Sequence, residues 1–429
     1  MRTDSGKQKT LAAITLPMTA AIVAAGLFAS APGAAFASAT TNPAVSTTSS
    51  RGQLLSVDYL GTFANAQAVS ATLKKGEFTD PGTLRYGVKT YRLIYRTVDP
   101  HRRPTTASGL LALPINKKGD LQVVSYTHGT ANYWQDTPST YLLSGDIWNV
   151  APALTYASTG FAAVAPDYLG LGYGTPMYPA YLDIPSETTT SVDMLRAART
   201  AAQRQGRQLQ RKVLVNGFSQ GANAAVGLAR ALQGGADGWF RLGALSAISG
   251  AYDFGGIELP ALVNGKLNPK ASVAYSAFVM VAWNKLHHLY PSPRDVFQQP
   301  YADKVERLFN GRTSGPEMLS TLPATVDELY TEQGLDMLRH PTGRLAAALA
   351  EADSICKDWA PRVPVRLLRS ASGDVEAAPA NTTSCQASFQ AHGVHVPVTE
   401  LTPLSYGGSY HSGSNITGVA DTARWFTTL

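Results

Sequence analysis

The sequence predicts an α/β fold, a mostly parallel sheet flanked by helices and carrying an inserted helical cap. Short continuous apolar runs alternate with helix-like segments from residue 121 to 249, and the alternation resumes from residue 364 to the end of the 429-residue chain. Strands of a parallel sheet are covered on both faces and therefore read as unbroken apolar runs, with helices as the connections between them. A further observation is Gly217-Phe218-Ser219-Gln220-Gly221, which falls at the junction of one such run and the next helical segment. A third is a block of about 105 residues between Asp253 and Pro364, too long for a loop inside a compact domain.

Residues 1–37 are excluded from the fold. Arg2, Lys7 and Lys9 precede an apolar run over residues 11–28, and small residues close it in Ala35-Phe36-Ala37 and Ala37-Ser38-Ala39. This is the pattern of a secretory signal peptide cut after Ala37 or Ala39. The alternative, a retained membrane anchor, lies near the minimum spanning length, and the cleavage-site residues favour export. Residues 38–84 are taken as an N-terminal extension, rich in Ser, Thr and Ala up to residue 52.

The first part of the core spans residues 85–253. Strands are expected over 91–96, 108–113 and 121–126, then a helix over 148–158, a strand over 161–165 and a helix over 188–205. A strand over 212–216, a helix over 220–232 and a strand over 242–249 complete this part. Residues 254–361 form the cap, with an apolar helix over 272–283 and helical stretches over 301–309, 320–330 and 344–353. The helix over 272–283 is expected to be buried against its neighbours, with some of its side chains as candidates to line an acyl-binding tunnel over Ser219. Tyr133 and Trp134 are candidates for the same wall. The core resumes over 362–429 with a strand over 364–368, a helix over 381–392, a strand over 394–401 and a final helix over 416–426.

Composition narrows the function classes. With 44% hydrophobic and 15% charged residues, neither a disordered chain nor a coiled coil fits. The formal charge of +6 comes from scattered residues, so no nucleic-acid partner is implied. Cys356 and Cys385 are the two cysteines, and in an exported chain they are expected to pair. No CxxC occurs and His287-His288 lack a third ligand at metal spacing, so neither a metal nor a cofactor is called for.

The motif around Ser219 fits a strained strand-to-helix turn that projects a nucleophilic hydroxyl, with glycines where the backbone folds tightly and small residues Ala222, Ala224 and Ala225 behind it. An acyl-transfer site also needs amides for the oxyanion. These are expected from Gln220, which follows the nucleophile, and from Gly129 or Thr130 after the strand ending at Tyr126. His128 in the same loop is expected to brace it. The general base should follow the last strand, which favours His411 over His392 and His395. For the orienting acid, Asp374 is favoured over Asp253 and Glu376.

These features together resemble the α/β-hydrolase superfamily, and within it the secretory lipases and secreted bacterial esterases. The resemblance rests on His128-Gly129-Thr130, on residues 165–172 (APDYLGLG), on the Ser219 motif, on Gly373-Asp374 and on His411, and covers roughly residues 85–428. It implies hydrolysis of a hydrophobic carboxylic ester through an acyl-enzyme on Ser219, without a cofactor, with a lipid–water interface as a candidate working surface. Many lipases carry a further Gly after the motif where this chain has Ala222. Asp167 is expected to brace its turn. A serine peptidase or amidase of the same fold is the alternative, and a non-catalytic hydrolase-like binding protein a more distant one.

Overall fold

The computed structural model describes residues 51–371 and 373–429. The signal-peptide segment 1–37 lies outside the described residues, as do residues 38–50 and Ser372. Among the described residues one sheet contains nine strands: β1 (Leu54–Phe63), β2 (Val88–Val98), β3 (Pro104–Pro114), β4 (Leu121–Thr127), β5 (Ala162–Pro166), β6 (Leu209–Phe218), β7 (Arg241–Ile248), β8 (Val365–Ser370) and β9 (Val398–Leu401). Their spatial order is β1-β2-β3-β5-β4-β6-β7-β8-β9. From β5 to β9 every neighbouring pair is parallel, whereas β1–β2, β2–β3 and β3–β5 are antiparallel.

Alternation along each strand divides the core into two layers. Leu111, Val123, Val213 and Val215 face a cluster that includes the helices Ile184–Arg204 and Gln220–Gln233. Their sequence neighbours Leu110, Val124 and Leu214 face the opposite cluster, which includes the helices Ala151–Thr159 and Tyr410–Phe426. A period of two along strands covered on both faces produces this division.

Between β7 and β8 the chain leaves the sheet and builds a third apolar cluster of its own. The centre of this cap is the helix Pro269–His287, started by Asn268, whose side chain accepts the Ala271 N–H at 3.1 Å. Eleven of its side chains are buried, as its all-round apolar sequence requires. Tyr181, from the segment before the helix Ile184–Arg204, stacks on Phe278 with ring centroids 4.2 Å apart, and its carbonyl accepts the Trp283 indole N–H at 2.9 Å.

Several elements differ from the sequence expectation, each for a local reason. The assigned N-terminal extension contains β1 and the helix Ala66–Lys75, so part of residues 38–84 belongs to the sheet domain. Its polar face disguised β1: as an edge strand it is mostly half exposed. The single helix expected over 320–330 is two short ones, Gly315–Thr321 and Val326–Leu329, because Pro323 cannot continue a helix. β9 starts at Val398, after Pro397, which has no N–H for the ladder. The final helix begins at Tyr410, six residues earlier than expected, capped by Ser409 through the Ser412 N–H at 3.0 Å.

Cys356 and Cys385 are disulfide-bonded with Cα atoms 5.3 Å apart, joining the end of the cap to the helix Ala380–Ala391 that follows β8. Closing this 29-residue separation restricts the unfolded chain by about 3–4 kcal/mol in the loop-entropy account. Replacing both cysteines by alanine is therefore expected to lower unfolding stability by about that amount, measured by urea titration. An unchanged midpoint contradicts this.

Candidate active site

The sheet's parallel strands end together at one edge, and the chemistry-bearing residues follow those ends. Ser219 follows β6, Gly129 and Thr130 follow β4, Asp374 follows β8, and His411 comes after β9. In open α/β sheets this carboxyl edge is where ligands bind.

Ser219 sits between β6 and the helix Gln220–Gln233 with φ 56° and ψ −123°, a conformation that strains a residue bearing a side chain. Two contacts fix it. The Ser219 N–H donates to the Ile248 carbonyl of β7 at 2.9 Å, and Thr127 Oγ1, at the end of β4, donates to the Gly221 carbonyl at 2.6 Å. The motif glycines are required by close approach. A Cβ on Gly221 would lie 2.0 Å from the Thr127 carbonyl oxygen, and one on Gly217 would lie 2.0 Å from the Gly221 oxygen.

His411 lies in the first turn of the final helix rather than in a free loop, buried and packed on the Phe218 ring with centroids 4.8 Å apart. Its Nε2 is 2.8 Å from Ser219 Oγ and its Nδ1 is 2.9 Å from Asp374 Oδ2. With the proton on Nδ1, the ring donates to Asp374 and accepts from the Ser219 hydroxyl. Asp374 Oδ1 accepts the backbone N–H groups of Glu376 at 3.0 Å and Ala377 at 2.9 Å, which aims the other oxygen at the ring.

Electrostatics reinforce the geometry. Burial opposes the His411 cation, but the charge and hydrogen bond of Asp374, with Glu376 and Glu258 beyond, outweigh it and raise the His411 pKa above its ordinary value. Burial likewise opposes the Asp374 charge, and His411 together with the two backbone donors overcomes it and lowers the Asp374 pKa. Asp253 is not at the ring: its carboxylate accepts from Ser384 Oγ at 3.0 Å and pairs with Lys357 Nζ at 3.3 Å. Glu376 accepts from the Tyr275 hydroxyl at 3.2 Å.

Ser219 and His411 open into a cleft of about 500 Å³, within the size range of small-molecule sites. Gly129 and Thr130 line it beside them, and Phe278, Phe309 and Trp148 form apolar walls. A Cβ on Gly129 would meet the Phe218 ring at 2.9 Å, so the loop can come this close only as glycine. Of the cap helix Pro269–His287, Lys270, Ala271, Ala274, Tyr275 and Phe278 line the cleft, and Val273, Ala277, Val279, Met280 and Val281 are core. Tyr133 and Trp134 do not line it. Tyr133 bridges to Gly311, and Trp134 packs edge-on against Tyr173, while Asn132 and Asp136 on either side of them line the cleft.

The bracing roles expected of His128 and Asp167 have visible partners. His128 Nδ1 donates to the Gly129 carbonyl at 2.7 Å, and burial lowers its pKa. Asp167, fully buried, accepts from Ser108 Oγ at 2.6 Å, from the Ser139 N–H at 3.0 Å and from the Ser139 hydroxyl.

Two buried glutamates went unnoticed in the sequence. Glu187, in the first turn of the helix Ile184–Arg204, accepts Gln220 Nε2 at 2.6 Å, and burial pushes its pKa up to about 8. Glu258 accepts the Ala378 N–H at 2.9 Å and Asn381 Nδ2 at 2.7 Å, tying the base of the cap to the loop that carries Asp374. Burial raises it to about 7. Neither belongs to a motif; a solitary glutamate at a helix start reads as a solvated charge.

No protein-family model matches the chain, and no curated protein matches it. Solved structures do. The rice cell wall degrading esterase LipA from Xanthomonas oryzae is 26% identical with a TM-score of 0.77, over 87% of this chain and 98% of that one. A hydrolase-like protein from Legionella pneumophila is 23% identical with a TM-score of 0.77, over 87% and 97%. Lipase A of Candida antarctica is 14% identical with a TM-score of 0.60, over 85% and 79%. The last two speak to the fold alone.

Glu187 generates a prediction about stability. Its folded pKa of about 8 lies above the ordinary glutamate value of 4.5, so folding takes up a proton and the chain loses stability as pH rises between those values. Glu187→Gln removes that dependence. The stability of the variant relative to the parent is expected to improve by on the order of 3 kcal/mol between pH 5 and pH 8, read by urea unfolding at both. A difference that does not vary with pH contradicts it.

Proposed function

We propose that this chain, an α/β-hydrolase by its sheet and its structural neighbours, is a secreted serine carboxylic-ester hydrolase working through an acyl-enzyme on Ser219. The observation that carries the reading is the continuous hydrogen-bonded line from Ser219 Oγ through His411 to Asp374 at the floor of an open cleft. The esterase identity of LipA supports the ester as substrate. Export is supported by the leader-like residues 1–37 and by the disulfide, which suits an oxidising compartment.

In this mechanism His411 Nε2 takes the Ser219 proton as Oγ attacks the ester carbonyl. Asp374 holds the ring in the Nδ1–H tautomer and stabilises the imidazolium. The Gln220 amide, with that of Gly129 or Thr130, holds the oxyanion. The tetrahedral adduct collapses when His411 returns the proton to the departing alkoxide, leaving an acyl-Ser219 ester and a free alcohol. Water, deprotonated by His411, then attacks the acyl group and releases the carboxylic acid and Ser219.

Purified protein is expected to hydrolyse p-nitrophenyl acetate, and Ser219→Ala to abolish turnover above background. Failure of the unmodified protein to hydrolyse any carboxylic ester sinks the proposal. Asp374→Asn is expected to lower kcat by about 10³- to 10⁴-fold, whereas Asp253→Asn keeps most of the activity; the reverse outcome reassigns the acid.

The pH profile follows from His411, which accepts a proton only when neutral. Because its pKa is raised, kcat/KM is expected to be lost on acidification at a pH above the ordinary histidine value of 6.5. An acid limb at or below that value contradicts the assigned electrostatics.

A further inference from the structure

Ser219 faces two spaces of very different size. Besides the open cleft, a cavity of about 20 Å³ is lined by the polar Gln220, Tyr181 and Glu258 and by the apolar Leu182, Phe254 and Leu262. These three apolar side chains are all nearly fully buried, so the back wall is packed core. Ser219, Thr130, Tyr275 and Glu376 line both spaces, and the Tyr275 hydroxyl donates to Glu376 Oε2 at 3.2 Å.

The catalytic chemistry decides which part of an ester enters which space. Around the tetrahedral carbon, one substituent is Ser219 Oγ and one is the oxyanion, leaving the acyl residue and the alkoxide. The alkoxide must receive its proton from His411 Nε2, so it has to lie on the histidine side. His411 and Ser412 line the open cleft and do not line the inner cavity, whereas Gln220 lines the inner cavity and not the cleft. The alcohol portion therefore belongs in the cleft, and the acyl residue points inward, past the oxyanion donors Gln220 and Thr130 that also line the inner cavity, toward Leu182, Phe254 and Leu262.

A space of about 20 Å³ is little more than the room one water occupies, so it accepts a methyl-sized group and not a chain. We propose that the enzyme is specific for short-acyl esters, acetates above all, of bulky alcohols, with the inner cavity as the acyl subsite and Leu182, Phe254 and Leu262 as its end wall. This rests on the ester-hydrolase reading above and reverses the expectation that the apolar cap helix lines an acyl tunnel. The exposed side of that helix meets the alcohol instead. The cleft offers the alcohol both aromatic surface, at Trp148 and Phe278, and charged groups, at Asp136 and Lys270. Cleavage follows the balanced scheme already given: the acyl–oxygen bond breaks, the alcohol leaves with the proton from His411, and water releases the short acid.

The test is a chain-length profile on the unmodified enzyme with p-nitrophenyl acetate, butyrate and octanoate below their micelle concentrations. Expected is a fall in kcat/KM of at least tenfold from acetate to butyrate and a further fall to octanoate, because a space of this size has no room for the added methylenes. Leu262→Ala is expected to raise the butyrate-to-acetate ratio at least tenfold. Butyrate or octanoate hydrolysed as well as acetate by the unmodified enzyme overturns the acyl assignment while leaving ester hydrolysis intact. No turnover of any of the three overturns the hydrolase reading and this inference together. A Leu262→Ala ratio that stays unchanged in a folded variant also overturns the assignment of the wall.

Discussion

The backbone at Ser219 is held in a conformation that an isolated residue would avoid, and the surrounding structure compensates for it. Strain of this kind costs on the order of 1–3 kcal/mol and persists only where neighbouring contacts over-determine it. Here the contacts are ladder-like. β7 receives the Ser219 N–H, and the end of β4 holds the Gly221 carbonyl through Thr127. The turn is therefore clamped by the strands on either side of β6, which are its neighbours in the sheet. From this one fixed turn follow the exposure of the hydroxyl, the position of the Gln220 amide and the line of approach for His411.

The acid side of the site is assembled by different means. Asp374 stands in a loop, and loops need anchors. One is the pair of backbone donors to Oδ1; another is Glu258, which reaches from the base of the cap to the Ala378 N–H and Asn381. Asn381 Oδ1 in turn accepts the Asp253 N–H at 3.0 Å, and the disulfide closes the same region from the other side. The cap thus has two roles. It walls the cleft and it braces the loop that carries the acid, which is why residues far apart in sequence bear on a single His411–Asp374 contact.

Much of this was legible in the sequence because it is local. The Ser219 motif, the apolar strands from β4 to β8 and the positions of Asp374 and His411 after late strands are all written in short runs with turn residues at their ends. What was not legible depends on pairing or burial. β1 looks like a polar extension because its face is half exposed, and the antiparallel pairing of β2 and β3 is set by the short turn between them rather than by composition. Glu187 and Glu258 are ordinary glutamates until the fold removes them from water. Tyr133 and Trp134, close in sequence to Gly129 and Thr130, face Gly311 and Tyr173 instead of the cleft, which no hydrophobicity pattern encodes.

The account depends on one hydroxyl being activated by one imidazole. It is tested most directly by incubating the purified protein with a reactive alkyl phosphonate ester and locating the adduct by peptide mass spectrometry. Predicted is a single adduct on Ser219, formed in proportion to the loss of esterase activity and much slowed in a His411→Ala variant. Labelling at another residue, or equally fast labelling of Ser219 without His411, would contradict it.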